Sequence, residues 1–200
     1  EGRKGYAIKE ETNAKIQIYT LADTITAECT TELEKTKAVH DWLVKNVAYD
    51  YDNYVLQSIP DRSYGVEGAI LYGKAVCQGY AEAFSVFMEV LGIESEMVTG
   101  TANNGNGLWP GHAWNKVKLN GSWYYIDVTW DDPIIEGGGL LTDELKYENF
   151  MQGSDTFFKD HKENGYVIQN GCFSYPVLNK TTINKIKNIF CYSLLLAKDI

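Results

Sequence analysis

His112-Ala113-Trp114-Asn115-Lys116-Val117-Lys118-Leu119-Asn120-Gly121-Ser122-Trp123-Tyr124-Tyr125-Ile126-Asp127-Val128-Thr129 is the stretch on which the reading of the whole chain turns. Two runs rich in β-branched and aromatic residues flank Asn120-Gly121, a dipeptide that tolerates the positive φ angles of a two-residue type I′ turn. His112 to Leu119 and Ser122 to Thr129 are therefore expected as the arms of an antiparallel hairpin. In that register Leu119 faces Ser122, and counting back along both strands His112 faces Thr129. Alternation of side chains puts Asp127 on the same sheet face as His112, as its diagonal neighbour about 7–8 Å away at the backbone, where an imidazole and a carboxylate can lean together. A one-residue slip would send Asp127 to the opposite face, so the pairing depends on the turn.

Upstream, Cys77, Tyr80, Ala81, Phe84, Met88 and Leu91 mark one face of a helix that Gly92 should end. Cys77 falls in its first turn, where the helix dipole and unpaired amides stabilise a thiolate. Thiol, imidazole and carboxylate are the groups that nucleophilic acyl transfer needs, with Cys77 as nucleophile, His112 as general base and Asp127 orienting the ring. The Cys77 amide is free to donate to a developing oxyanion, worth roughly 3 kcal/mol per donor in such sites. Tyr72 and Gln78 are the two side-chain candidates for a second donor. Trp109, Trp114 and Trp130 are candidates for lining a substrate groove, against the competing role of plain core packing.

Ala14, Ile18, Leu21 and Ile25 recur at helical spacing, and Leu33, Val39, Trp42, Leu43 and Val47 form a second set. Thr31-Glu32-Leu33-Glu34 has the capping-box form and should start the second helix. From Tyr49 to Gly73 the pattern predicts a long ordered loop with one short helix over Glu67 to Tyr72. Met97 and Val98 suggest a short strand, followed by a loop from Thr99 to Gly111. Residues Asp143 to His161 read as short helices in a polar periphery, and Thr181 to Ile200 as a helix. His40 is expected in a core or interface and His161 in solvent, while Asp131-Asp132-Pro133 reads as a turn whose carboxylates compete with Asp127 for His112.

The chain has 200 residues, 44% hydrophobic and 13% aromatic, enough for one globular domain over residues 1–200. A net charge of −9 without basic clusters argues against a nucleic-acid partner or an anionic membrane surface. No apolar run approaches the roughly 18–20 residues of a membrane span. Four cysteines at irregular spacing suit neither a disulfide framework nor a zinc ribbon, and with 3 histidines neither a metal nor another cofactor is expected. Cys29, Cys172 and Cys191 are read as ordinary structural residues. Because the chain opens at Glu1 rather than methionine, an exported or cell-surface location is the expectation. Oligomeric state is left open.

These residues resemble the transglutaminase-like superfamily of papain-like cysteine enzymes. Gly73-Lys74-Ala75-Val76-Cys77-Gln78-Gly79-Tyr80-Ala81 is similar to its nucleophile motif, His112-Ala113-Trp114-Asn115 to its histidine motif, and Trp123 through Pro133 to its aspartate motif. Lys37 to Leu43 and Tyr49-Asp50-Tyr51 are similar to the helix and loop that precede them. The resemblance implies the same roles for Cys77, His112 and Asp127, on an α+β fold in which the cysteine helix packs against an antiparallel sheet. Animal crosslinking transglutaminases carry tryptophan directly after the nucleophile, whereas Gln78 stands here, so the chain is similar to the microbial branch, without implied calcium dependence. The expected activity is attack on an amide of a peptide or protein, thioester formation and hydrolysis, as in a peptidase or amidase. Acyl transfer to an amine and a non-catalytic surface binding module are the alternatives.

Overall fold

The computed structural model describes residues 2–103, 105–133 and 145–169, with side chains described from residue 9 to residue 164 within them. The expected helix over 181–200, together with Cys172 and Cys191, lies outside the described residues.

Helix α1 (Gly2–Ile25) buries Ala14, Ile18 and Ala22. Helix α2 (Glu32–Asn46) starts at the capping box: the Thr31 hydroxyl accepts from the Glu34 amide at 3.2 Å while the Glu34 carboxylate accepts from the Thr31 amide at 2.9 Å. Its core face is Val39, His40, Leu43 and Val44, whereas Leu33 in the first turn is exposed. The segment expected as a loop with one short helix is divided into β1 (Ala48–Tyr49), α3 (Tyr51–Val55), a 3₁₀ turn (Asp61–Tyr64) and α4 (Val66–Leu71), the last being the expected helix one residue early. Elements this short carry no readable periodicity; buried partners hold them. The Asp50 carboxylate accepts from Ser63 Oγ at 2.8 Å and Asn53 Nδ2 at 2.9 Å, tying α3 to the 3₁₀ turn.

Strand β2 (Lys74–Ala75) pairs in parallel with β1, and α5 (Cys77–Leu91) follows at once. Gly92 ends α5 at φ 71°, a left-handed position that favours glycine. Helix α5 buries Tyr80, Ala83, Phe84, Phe87 and Met88 against α1, α2 and α4. At Gly79 a Cβ would lie 2.7 Å from the Ser63 carbonyl oxygen, so glycine there lets the 3₁₀ turn rest against the first turn of α5.

The sheet comprises β3 (Ser95–Ala102), β4 (Gly111–Leu119), β5 (Ser122–Ile126) and β6 (His161–Gln169), in the antiparallel order β5-β4-β3-β6. The hairpin has the expected register, Leu119 opposite Ser122 and Asn115 opposite Ile126, with Asn120 at φ 51° and Gly121 at φ 81°. Strand β5 ends three residues early, however. Val128–Asp131 forms the short helix α6, so Thr129 does not face His112, and Asp127 is the last extended residue. Strand β3 runs past the two residues expected for it, and His161 opens β6 after α7 (Ser154–Phe157) where a polar periphery was expected. Lys162-Glu163-Asn164 hides the strand in the sequence; pairing with β3 supplies its hydrogen bonds. Gly100 faces His112 on one side and Glu163 on the other, and a Cβ there would collide with the Lys162 carbonyl and the Trp114 ring. Glycine at this point admits β6 beside β3.

Ala113, Asn115, Val117 and Leu119 turn toward the helices, and the opposite face carries a satellite core of Val98, Trp114 and Phe157. Among the described residues no helix is long and apolar enough to cross a membrane.

Candidate active site

Three local devices place Cys77. The Asp50 amide donates to the Ala75 carbonyl and the Val76 amide to the Ser63 carbonyl, each at 2.9 Å, so the two residues before the cysteine are clamped from both sides. Gly79 admits the second clamp. Cys77 is then the first residue of α5, a free and partly exposed thiol packed against Ala81, Met97 and Ala113. Ala113 is the β4 neighbour of His112, so the thiol meets the strand where the imidazole leaves it.

His112 Nε2 lies 2.6 Å from Asp127 Oδ2. The Cys77 thiol lies near enough to raise the ring's proton affinity, and with Nε2 on Asp127 the nitrogen left to face it is Nδ1. Asp127 is wholly buried and held by more than the histidine: its Oδ1 accepts from the Trp130 amide at 3.2 Å as the N-cap of α6, and its own amide donates to the Asn149 carbonyl at 2.9 Å. Burial opposes charge on both groups, but the contact with Asp127, then with Cys77, raises the proton affinity of His112 well above that of an ordinary histidine. His112, and behind it His161, hold the Asp127 carboxyl well below the usual carboxylate range. The arrangement is an imidazole hydrogen-bonded to a buried carboxylate, beside a thiol at the N-terminus of a buried helix.

His161 is the residue that sequence reasoning misplaced. It is fully buried, with Nε2 3.1 Å from Asp127 Oδ2 and the ring stacked on Phe157 at 3.8 Å between centroids. A charged neighbourhood in the sequence signalled solvent; the β3–β6 pairing puts the ring behind Asp127. Tyr49 was also unmarked for the site. The parallel β1–β2 pairing sets it opposite Ala75, and its phenol is kept protonated by burial first and then by Cys77.

The other candidates divide. Trp130 covers the imidazole with its ring 5.4 Å from that of His112, and lines a cleft of about 830 Å³ with Trp109, Asp132, Asn149 and Asp160. Trp114 does not line it: it is 1% exposed and packs with Val98 and Phe157, because alternation on β4 turns it into the satellite core. Gln78 is exposed, one residue beyond Cys77 on α5. The Tyr72 hydroxyl donates to Glu10 at 2.6 Å and its ring packs under Arg62, so it is engaged with α1. Asp131 and Asp132 do not compete for His112. Asp131 binds His40 Nε2 at 3.0 Å and the Asn149 amide at 2.8 Å, and Asp132 meets the Tyr80 hydroxyl. His40 is in the core, as expected, 0% exposed.

His112, Asp127 and His161 offer three potential metal-ligand atoms within 4.8 Å of one another. Both Nε2 atoms point at the same carboxylate oxygen, and 2.6 Å is hydrogen-bond contact, shorter than the roughly 3 Å separating two ligands that each sit about 2.0–2.2 Å from a shared ion. The geometry is that of a hydrogen-bonded set.

Residues 19–128 match the family model described as the transglutaminase-like superfamily. The chain is 25% identical over 138 residues to the kyphoscoliosis peptidase of Mus musculus, covering 65% of this chain and 20% of that protein. It is 26% identical over 134 residues to the kyphoscoliosis peptidase of Homo sapiens, covering 63% of this chain and 20% of that one. The chain thus spans about a fifth of the length of these curated relatives. The crystal structure of a TGase superposes with a TM-score of 0.51 at 20% identity, over 72% of this chain and 36% of the other, a likeness of fold. The matched span holds Cys77, His112 and Asp127 together with the helices and strands that carry them, and the chain belongs to the transglutaminase-like superfamily.

Proposed function

We propose that this chain is a cysteine-dependent acyl-transfer enzyme acting on amide bonds of a peptide or protein, with hydrolysis as its outcome. The observation that supports this most is the hydrogen-bonded His112–Asp127 pair set beside the Cys77 thiol at the start of α5. In this reading the Cys77 sulfur, its proton passed to His112, attacks the carbonyl carbon. The carbonyl oxygen takes the negative charge beside the Cys77 amide. The C–N bond then breaks, His112 protonates the departing amine, and a thioester remains. Water, giving a proton to His112, attacks the thioester; the acid leaves and the thiol–imidazole pair is restored. Asp127 keeps Nε2 of the ring protonated and Nδ1 aimed at sulfur throughout.

The name peptidase on the mouse and human relatives supports water as acceptor. A second reading, transfer to a primary amine, draws support from the acidic side chains Asp132, Glu148 and Asp160 around the cleft beside Trp130. The test is alkylation by iodoacetamide near neutral pH. Cys77 should react faster than Cys29, and His112→Ala should slow it about a hundredfold or more, the usual range for a removed acid–base group. A Cys77 no more reactive than Cys29 would make the chain a binding module. Digestion of a peptide library with and without an added amine then separates the two acceptors.

A further inference from the structure

Among the described residues His161 makes three polar contacts, and all three partners are hydrogen-bond acceptors. Nε2 faces Asp127 Oδ2 at 3.1 Å; Nδ1 faces Asp160 Oδ1 at 2.7 Å and the Phe157 carbonyl oxygen at 3.2 Å. A neutral imidazole has one N–H and one bare nitrogen, so one of its nitrogens would be set against an oxygen lone pair in a fully buried site. Only the ring with both nitrogens protonated satisfies every contact. The alternative, a protonated carboxyl, is unsuited to either acid: Asp127 is held ionised by His112, and the Asp160 side chain is 45% exposed to water. Among the described residues the rings packed against it are Trp114, Trp130 and Phe157, which are uncharged, and His112, whose centroid is 5.9 Å away. Lys162, next in sequence, is turned onto the Trp109 ring.

We propose that His161 is a positioning residue for the reaction assigned to Cys77: a buried imidazolium, bridging Asp127 and Asp160, that shares the Asp127 carboxylate with His112. It acts in two ways. Its N–H fixes Oδ2 in place while the α6 amide fixes Oδ1, so the carboxylate cannot rotate off the catalytic ring. Its positive charge also offsets the stabilisation that Asp127 gives the imidazolium form of His112. That imidazolium must pass its Nδ1 proton to the departing amine, and a carboxylate serving one imidazolium alone would hold it in the charged form more strongly. The role rests on the proposed reaction, but the protonation state of His161 does not.

The test uses the full chain labelled with ¹⁵N-histidine, whose 3 histidines make assignment tractable. At pH 7 both His161 nitrogens should give protonated-type shifts with N–H protons sheltered from exchange, in the wild type and in Cys77→Ala alike. Asp160→Asn, a change at a half-exposed side chain, should move loss of the His161 charge to lower pH. In His161→Gln the His112 ring should keep its proton to higher pH. A unit charge 5.9 Å away at an effective dielectric of about 20 corresponds to on the order of two pH units. The iodoacetamide profile of Cys77 should move with it. One protonated and one bare nitrogen on His161 at pH 7 overturns the proposal, and so does an unmoved His112 titration in a folded His161→Gln. If His161→Gln does not fold, the wild-type and Asp160→Asn spectra decide alone. An inert Cys77 beside a doubly protonated His161 would sink the enzymatic reading while leaving the imidazolium standing; a reactive Cys77 beside a neutral His161 would do the reverse.

Discussion

Two buried histidine–aspartate pairs sit at opposite ends of one four-residue helix. Asp127 caps the N-terminus of α6 and binds His112; Asp131 closes its C-terminus and binds His40, with Nε2–Oδ2 separations of 2.6 and 3.0 Å. Each ring has raised proton affinity, burial being outweighed by the carboxylates. The difference lies in the far nitrogen. That of His112 meets the thiol of Cys77 at a helix N-terminus, whereas Nδ1 of His40 meets another carboxylate, Asp41, at 3.1 Å. The His40 pair therefore joins α2 to α6 and, through the Asn149 amide, to residues 147–150, and has no nucleophile to serve. A buried imidazole–carboxylate contact is not a catalytic signature by itself; the nearby thiol is what sets the proposed site apart.

Exchanging the two aspartates is the largest test of that contrast. Asp127→Asn should lower amide turnover by about 10⁴-fold, as expected when the orienting carboxylate of a triad becomes an amide. Asp131→Asn should leave Cys77 alkylation within a few-fold but lower stability in urea denaturation, because His40 then keeps only the Asp41 carboxylate and the Asn149 amide loses a charged acceptor. Equal losses of turnover in both variants would erase the distinction.

The second test is pH. A histidine whose folded proton affinity is raised contributes stability fully present below its ordinary value of 6.5 and lost as pH rises through the higher folded value. Asp127, held below the ordinary range, contributes stability above its ordinary value of 3.8 that is lost as pH falls through the lower folded value. Alkaline destabilisation should therefore be less steep in His40→Gln, by up to about 1.4 kcal/mol per pH unit. The pH profile of Cys77 alkylation should keep its shape. A shifted profile would mean that the two pairs are coupled through α6. The smallest effect is that of Thr31→Ala, which removes the capping hydroxyl of the helix carrying His40. It should cost about 1 kcal/mol of stability, read by thermal melting, without changing the alkylation rate.

Much of the catalytic side was open to reading because its parts are local. Asn120-Gly121 dictates a turn whose register carries His112 and Asp127 to one face, and that survives the early end of β5 because Asp127 is still extended. Cys77 at the head of α5 follows from helical spacing, and Thr31 with Glu34 from the capping box. His161 was misread because nothing within a few residues of it records β6 pairing with β3. Trp114 was offered as a groove residue because an aromatic's destination depends on which sheet face is covered. Of the short elements between Tyr49 and Cys77 only the helix near Glu67 was legible, because two-residue strands and single turns have no period.

By itself the sequence determines a thiol at a helix start, an imidazole and a carboxylate on one face of a hairpin, and the turn that pairs the last two, since each follows from spacing along a single helix or hairpin. The tertiary structure alone decides that a second histidine, His161, stands behind Asp127, that Trp130 rather than Trp114 covers the imidazole, and that Asp131 belongs to His40. Those outcomes depend on contacts between segments far apart in the chain, on the approach that Gly100 allows β6 and on the helix cap that turns Asp127 inward, and no local propensity encodes them.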